Sequence, residues 1–244
     1  MPPDDDFYIG YLTQAPAGLA KRLSRIVGSI VIGMLAVGLI LAVSQPYFAN
    51  SRFEFGELRT YEGVIEEWPY PILRTAAGPY LLVAPGKHGL AVSGWQGKAV
   101  QLRGTLIERA PDRMVEALPE SIRDASPQNP ANSPAPRVSL GTVTLRGEIV
   151  DGKCYLGVMN PGDGKVHRDC AARCISGGAP PAFVVRDSSG DARVLLLTGA
   201  DGRPMNHEVL DFVAEPIEIS GELIRAGTQL VLEAEPARYR RDWK

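Results

Sequence analysis

Two short glycine-bearing strand patterns each occur twice in the chain, and this repeat limits the fold more than any other feature. Tyr61-Glu-Gly63-Val-Ile65-Glu-Glu67 is mirrored by Leu145-Arg-Gly147-Glu-Ile149-Val-Asp151. Val100-Gln-Leu-Arg-Gly104-Thr-Leu-Ile-Glu108 is mirrored by Ile217-Glu-Ile-Ser-Gly221-Glu-Leu-Ile-Arg225. A glycine in the middle of a strand weakens a flat sheet, but it suits a coiled strand that bends sharply in a small barrel. Further period-two runs stand at Thr60–Glu67, Pro79–Ala84, Lys98–Arg109 and Arg113–Leu118. In the second half, Phe183–Leu197 reads as a hairpin and His207–Ala214 as a short helical stretch. Five or so short strands per unit, with a helix before the fourth, resemble the OB-fold. The expected class is mainly β: an N-terminal transmembrane helix, then two small OB-fold-like barrels, the second with a helical insertion containing Cys and His.

The domain boundaries follow from composition. Residues 1–25 form a tail that opens with Asp4-Asp5-Asp6 and turns aromatic at Phe7, Tyr8 and Tyr11. Residues 26–45 form an uncharged run, Ile26–Ser44, ending at Gln45-Pro46. At about 1.5 Å per residue this run spans roughly 28 Å, close to the hydrocarbon thickness of a bilayer. Lys21, Arg22 and Arg25 precede it and only Arg52 follows closely, so the positive-inside rule expects a cytoplasmic N-terminus. The two barrels then lie in the periplasm or another extracytoplasmic space, anchored by one pass in the inner (plasma) membrane. Ala42-Val43-Ser44 offers a processing site, but the leading segment is long and acidic for a signal peptide, and an uncleaved anchor fits better. Ser29 and Gly33 make a small-xxx-small pair of a kind common in membrane helices. The first barrel is expected over 52–122, a proline-rich linker over 123–137, and the second barrel over 138–238.

The repeat also locates the site by subtraction. Gly147 and Gly221 lie much further apart than Gly63 and Gly104, and residues 152–181 account for nearly all the difference. An insertion in the first inter-strand connection of an OB-like barrel sits on that fold's usual ligand face. All three cysteines of the 244 residues fall inside it, with one of three histidines, in the spacing C-x12-H-x2-C-x3-C. The first barrel has no cysteine and reads as a spacer or docking module.

Asp163-Gly164 can cap a helix that runs to Ser176 and stops at Gly177-Gly178 and two prolines. On such a helix His167, Cys170 and Cys174 share one face, and the Pro161-Gly-Asp-Gly164 loop can bring Cys154 back over it. The first reading is therefore a metal site of Cys154, His167, Cys170 and Cys174. That donor set suits zinc, copper or an iron–sulfur cluster and does not distinguish between them.

A second reading is a disulfide plus a spare thiol. Cys170 and Cys174, roughly 5–6 Å apart at Cβ, are too far apart for a bond that needs about 3.5–4.5 Å. Cys154 with either of them closes a loop of roughly 16–20 residues, worth about 3 kcal/mol. A third reading is a redox-active thiol, with Lys165, Arg168 and Arg173 lowering its pKa, although no C-x-x-C pair is present. Met159 is a weaker candidate, a soft axial ligand or a residue packed under its loop. His88, in a Pro-Gly-Lys-His-Gly turn, and His207 have no partner nearby in sequence.

The net charge of −2 gives no basic footprint for nucleic acid. No P-loop, dinucleotide fingerprint, H-E-x-x-H or covalent haem motif is present, and no catalytic acid–base pair can be picked out. The functional expectation is a membrane-anchored accessory or electron-transfer subunit of a redox or metal-handling system. It would work beside other membrane or periplasmic subunits. The alternative is a non-redox scaffolding protein of the cell envelope with a disulfide-stapled loop.

Overall fold

The structure is a computed structural model that describes residues 16–44, 50–125 and 135–241. The tail before residue 16 and most of the proline-rich linker lie outside the described residues. The chain forms two compact units, an N-terminal helix and the body that follows it.

Helix α1 covers Ala17–Ser44. It starts well before the uncharged run, because the preceding Ala, Leu, Lys and Arg residues are all good helix formers. None of its residues is buried, and Ile32, Met34 and Leu35 are about 70% exposed. Among the described residues it is the one helix long and apolar enough to cross a membrane. A helix that is apolar all round and buries no face of its own needs an apolar surrounding.

The body holds two five-stranded barrels of the same topology, as the repeat implied. The first uses β2 (Arg59–Glu66), β3 (Ile72–Thr75), β4 (Gly78–Val83), β5 (Ala99–Arg109) and β6 (Asp112–Ala117), after a short β1 (Arg52–Phe53). A two-residue β7 (Arg123–Asp124) follows on the edge of β5. The second uses β8 (Arg137–Asp151), β9 (Pro181–Arg186), β10 (Ala192–Thr198), β11 (Pro216–Ala226) and β12 (Gln229–Glu233), with β13 (Tyr239–Arg241) on the edge of β11.

The strands pair β5-β2-β3-β4-β6 in one barrel and β11-β8-β9-β10-β12 in the other. Each ring closes through β6–β5 or β12–β11, and each has one parallel pair, β4–β6 or β10–β12. Strand β3, directly after Pro69 and Pro71, was not foreseen in the sequence. The helical stretch expected at 207–214 is a single turn, Leu210–Phe212.

The repeated glycines admit the neighbouring strand. A Cβ on Gly63 would come 2.2 Å from the Arg74 carbonyl oxygen, and one on Gly147 would come 2.2 Å from that of Val184. Gly104 and Gly221 stand in the same relation to the carbonyls of Glu116 and Glu233. Equivalent glycines therefore meet equivalent strands.

Each barrel has its own core, built around Ile65, Leu73, Leu82 and Leu102 in the first and Ile149, Phe183, Leu197 and Ile217 in the second. A third cluster joins them, with Tyr70, Ile72, Leu81 and Met114 packing against Val150, Tyr155, Leu156 and Leu196. Tyr70 inserts its hydroxyl into the second barrel, donating to the Leu197 carbonyl (2.5 Å) and accepting from the Met205 N–H (3.2 Å). Each large apolar side chain fully buried in this way contributes about 1.5–3 kcal/mol, and Tyr155, Leu156 and Met114 are all buried in this cluster.

Candidate functional site

The difference between the barrels is concentrated in one connection. Residues 67–71 join β2 to β3, whereas residues 152–180 join β8 to β9. The long connection begins on buried Asp151, whose Oδ1 accepts the Cys154 N–H at 2.7 Å and so turns the chain out of β8. A short helical turn, Cys154–Val158, buries Tyr155 and Leu156 against the inter-barrel core and Cys154 against Cys174 and Ala179.

A single 3-10 turn, Lys165–His167, follows and leads into α2, Arg168–Ser176. The helix start differs from the expectation. Asp163 does not cap it but pairs with Arg186, and no side chain caps either segment. The far end of α2 is held by Asn206, whose amide donates to the carbonyls of Ile175 (2.8 Å) and Ala179 (2.9 Å).

The four residues expected to share one ion fall into two adjoining groups. The sulfurs of Cys154, Cys170 and Cys174 all lie within 4.8 Å of one another. None is in a disulfide; Cys154 and Cys174 are buried and Cys170 is half-buried. His167 belongs to a second group, with Cys154 and Asp151, which also meets within 4.8 Å. Its Nε2 is 3.0 Å from Asp151 Oδ2, and both side chains are almost wholly buried. His167 is engaged with Asp151 at the end of β8, away from the Cys170 and Cys174 sulfurs. Either group could hold a metal.

The first barrel supplies a residue that no local pattern announced. Lys87 reaches across so that its Nζ is 2.8 Å from Cys170 Sγ and 3.7 Å from Cys174 Sγ. Its loop lies directly on the insertion, with the Gly89 N–H donating to the Gly177 carbonyl at 2.9 Å. A Cβ on Gly177 would fall 1.9 Å from the Lys87 carbonyl oxygen, and one on Gly89 would fall 2.3 Å from that of Gly178. The Gly177-Gly178 pair thus does more than end a helix; it lets the loop of the first barrel lie flat on the insertion. His88 and His207 join neither group, and Met159 is 44% exposed beside the site.

The electrostatics are asymmetric. The Cys174 thiol is pulled down to about 7, first by its hydrogen bond with Cys154 and also by the Lys87 charge. Cys154 is pushed well up by that same hydrogen bond, by burial and by the Asp151 charge. Lys87 is raised by its hydrogen bond to Cys170. One sulfur is therefore disposed to be a thiolate while its neighbour keeps a proton and donates it. A bound cation replaces such a shared proton readily.

No protein-family model, curated protein or solved structure matches the chain.

Proposed function

We propose that this protein is a membrane-anchored subunit of a metal-handling or electron-transfer system, and that its working part is a thiolate metal centre of Cys154, Cys170 and Cys174. The observation that carries the reading is the convergence of three unpaired sulfurs within 4.8 Å. A metal–sulfur bond of about 2.3 Å puts thiolates on one ion roughly 4 Å apart, so a small closure of the existing group suffices. Standard iron–sulfur clusters take four protein ligands, either all cysteines or an even mixture of cysteines and histidines. The chain has only three cysteines, and a single ion suits this donor set better.

His167, held by Asp151 beside Cys154, stands where the histidine and carboxylate partners of metal centres stand. The apolar helix anchors the barrels, and Lys21, Arg22 and Arg25 on its leading flank favour a cytoplasmic N-terminus with the barrels on the other side.

The scaffold reading draws on one observation, the closeness of the buried Cys154 and Cys174 sulfurs, which would let that pair form a disulfide staple. Metal content separates the two. The full chain, purified in detergent without oxygen, should carry about one soft metal ion per molecule, and Cys154→Ser, Cys170→Ser and Cys174→Ser should each lose it. A metal-free protein with one Cys154–Cys174 disulfide and a dispensable Cys170 would establish the scaffold instead.

A further inference from the structure

Lys87 stands against the thiols from the opposite barrel, and its partners are sulfurs. Among the described residues its ammonium has no carboxylate partner. Its loop is held from both sides. The insertion's backbone receives Gly89 and leaves no room for a side chain at Gly177, while Lys153 donates to the Ala84 (3.0 Å) and Gly86 (2.6 Å) carbonyls. Lys87 is itself exposed, and the held loop carries its ammonium to the sulfurs.

We propose that the three-sulfur group is a binding site for monovalent copper and that Lys87 sets its preference for copper(I) over zinc(II). This rests on the metal-centre reading above and adds to it the ion and the residue that selects it.

Donor count favours copper(I). Thiolates suit both ions, but zinc in closed sites takes four ligands in a tetrahedron, whereas copper(I) is satisfied by three. The group offers three sulfurs, and the nearest imidazole, His167, is committed to Asp151 beside Cys154. Lys87, a donor with no lone pair while charged, stands against the two helix sulfurs where a fourth ligand would otherwise approach.

Charge acts in the same direction. Binding releases to solvent whatever protons the three sulfurs still hold. Three thiolates with copper(I) then carry a net charge of two minus, and with zinc(II) one minus. An ammonium 2.8 Å and 3.7 Å from two of the sulfurs favours the more negative complex. It can do so without leaving, because a metal-bound thiolate still accepts an N–H hydrogen bond. The cation placed against the sulfurs therefore discriminates between the ions that fill the group.

The test uses the full chain in detergent, reduced and without oxygen. Copper(I) affinity is read by competition with bicinchoninate, and zinc(II) affinity by competition with a chromophoric chelator. Wild type should bind one copper(I). Lys87→Leu, which removes the charge and adds no donor, should weaken both ions, but the ratio of copper(I) to zinc(II) affinity should fall by about tenfold, since one extra unit of charge faces the lost cation. Lys87→Arg should keep most of the wild-type ratio, and melting curves of both variants check that they fold. An unchanged ratio in Lys87→Leu, or a ratio that Lys87→Arg does not keep, overturns the inference and leaves the metal centre standing. Wild type that takes up neither ion overturns both.

Discussion

Lys87 and Lys153 cross between the two barrels in opposite directions. Lys87 leaves the first barrel and ends on the sulfurs of the insertion; Lys153 leaves the insertion and ends in the first barrel, on the carbonyls of Ala84 and Gly86 and the Glu116 carboxylate. Lys153 is almost wholly buried, and it grips the segment just before Lys87. The residue next to Cys154 in sequence thereby helps to place the ammonium that faces Cys170. The site belongs to the pair of barrels and not to the second alone.

Replacing Lys153 should therefore act at a distance. Lys153→Met keeps the aliphatic volume but strands Glu116 and two carbonyls, which for a buried ion pair costs about 3–5 kcal/mol. We expect a clear fall in the melting temperature of the body. We also expect weaker protection of residues 84–90 in hydrogen exchange, with the second barrel's own core little changed. Uniform loss of protection across both barrels would show that Lys153 supports the whole body and not this loop.

Gly177→Ala tests the backbone approach directly. The new Cβ meets the Lys87 carbonyl oxygen at 1.9 Å, a contact relieved only by moving the loop. Overpacking of this kind costs about 1–3 kcal/mol, and the loop should lift and carry Lys87 off the sulfurs. Thiol labelling at Cys170, which is half-buried, should then quicken relative to wild type. An unchanged labelling rate would mean that the loop does not shield that sulfur.

Much of the fold was legible because the glycines leave a direct trace. A strand that crosses another with a carbonyl 2.2 Å from a virtual Cβ tolerates only glycine, so the crossing writes itself into the sequence twice. The length of the 152–181 insertion and its cysteines were legible for the same reason: the repeat supplies a measure against which they stand out. The division of the ligand set was not. His167 meets Asp151, while Asp163 turns to Arg186 and Arg168 to Glu215, and none of these contacts is local. Asp151 did leave a trace, three residues before Cys154 at a strand end, where an Asp side chain commonly accepts a nearby N–H. Lys87 left none, because its contact with Cys170 spans 83 positions and depends on how two barrels pack.

The inter-barrel contact should be pH-dependent through Asp112. This carboxyl is raised from 3.8 to about 6 by burial, which outweighs the attraction of Arg193. The folded form thus holds the proton more firmly than the unfolded chain. The contribution to stability is full below about pH 4, falls as pH rises towards 6 and is gone above it. Asp112→Asn mimics the protonated side chain and should melt higher than wild type at pH 7.5, with the two converging near pH 4. A variant that is less stable at pH 7.5 would mean that ionised Asp112 gains more from Arg193 than it loses to burial.

The role of His167 can be read from the difference between losing a metal and holding it less tightly. As a direct ligand, His167 would be as necessary as a cysteine, and His167→Ala would abolish metal content as fully as Cys174→Ser. As the residue that Asp151 holds beside Cys154, it shapes the position of one thiolate, and such outer partners typically alter affinity by about 10–100-fold. The structure groups His167 with Asp151 and Cys154 and leaves Cys170 and Cys174 outside that group, so the second behaviour is expected. His167→Ala should still take up one ion at saturating metal, with affinity reduced within that range. Asp151→Asn should behave in the same way, since its amide oxygen can keep the Cys154 N–H while the anion facing the imidazole is lost. Combining the two changes should cost little more than either alone, as expected of residues that act through one contact. Complete loss of metal in His167→Ala, with Asp151→Asn only weakened, would make the imidazole a fourth ligand and restore the four-residue centre suggested by the spacing of the cysteines and the histidine.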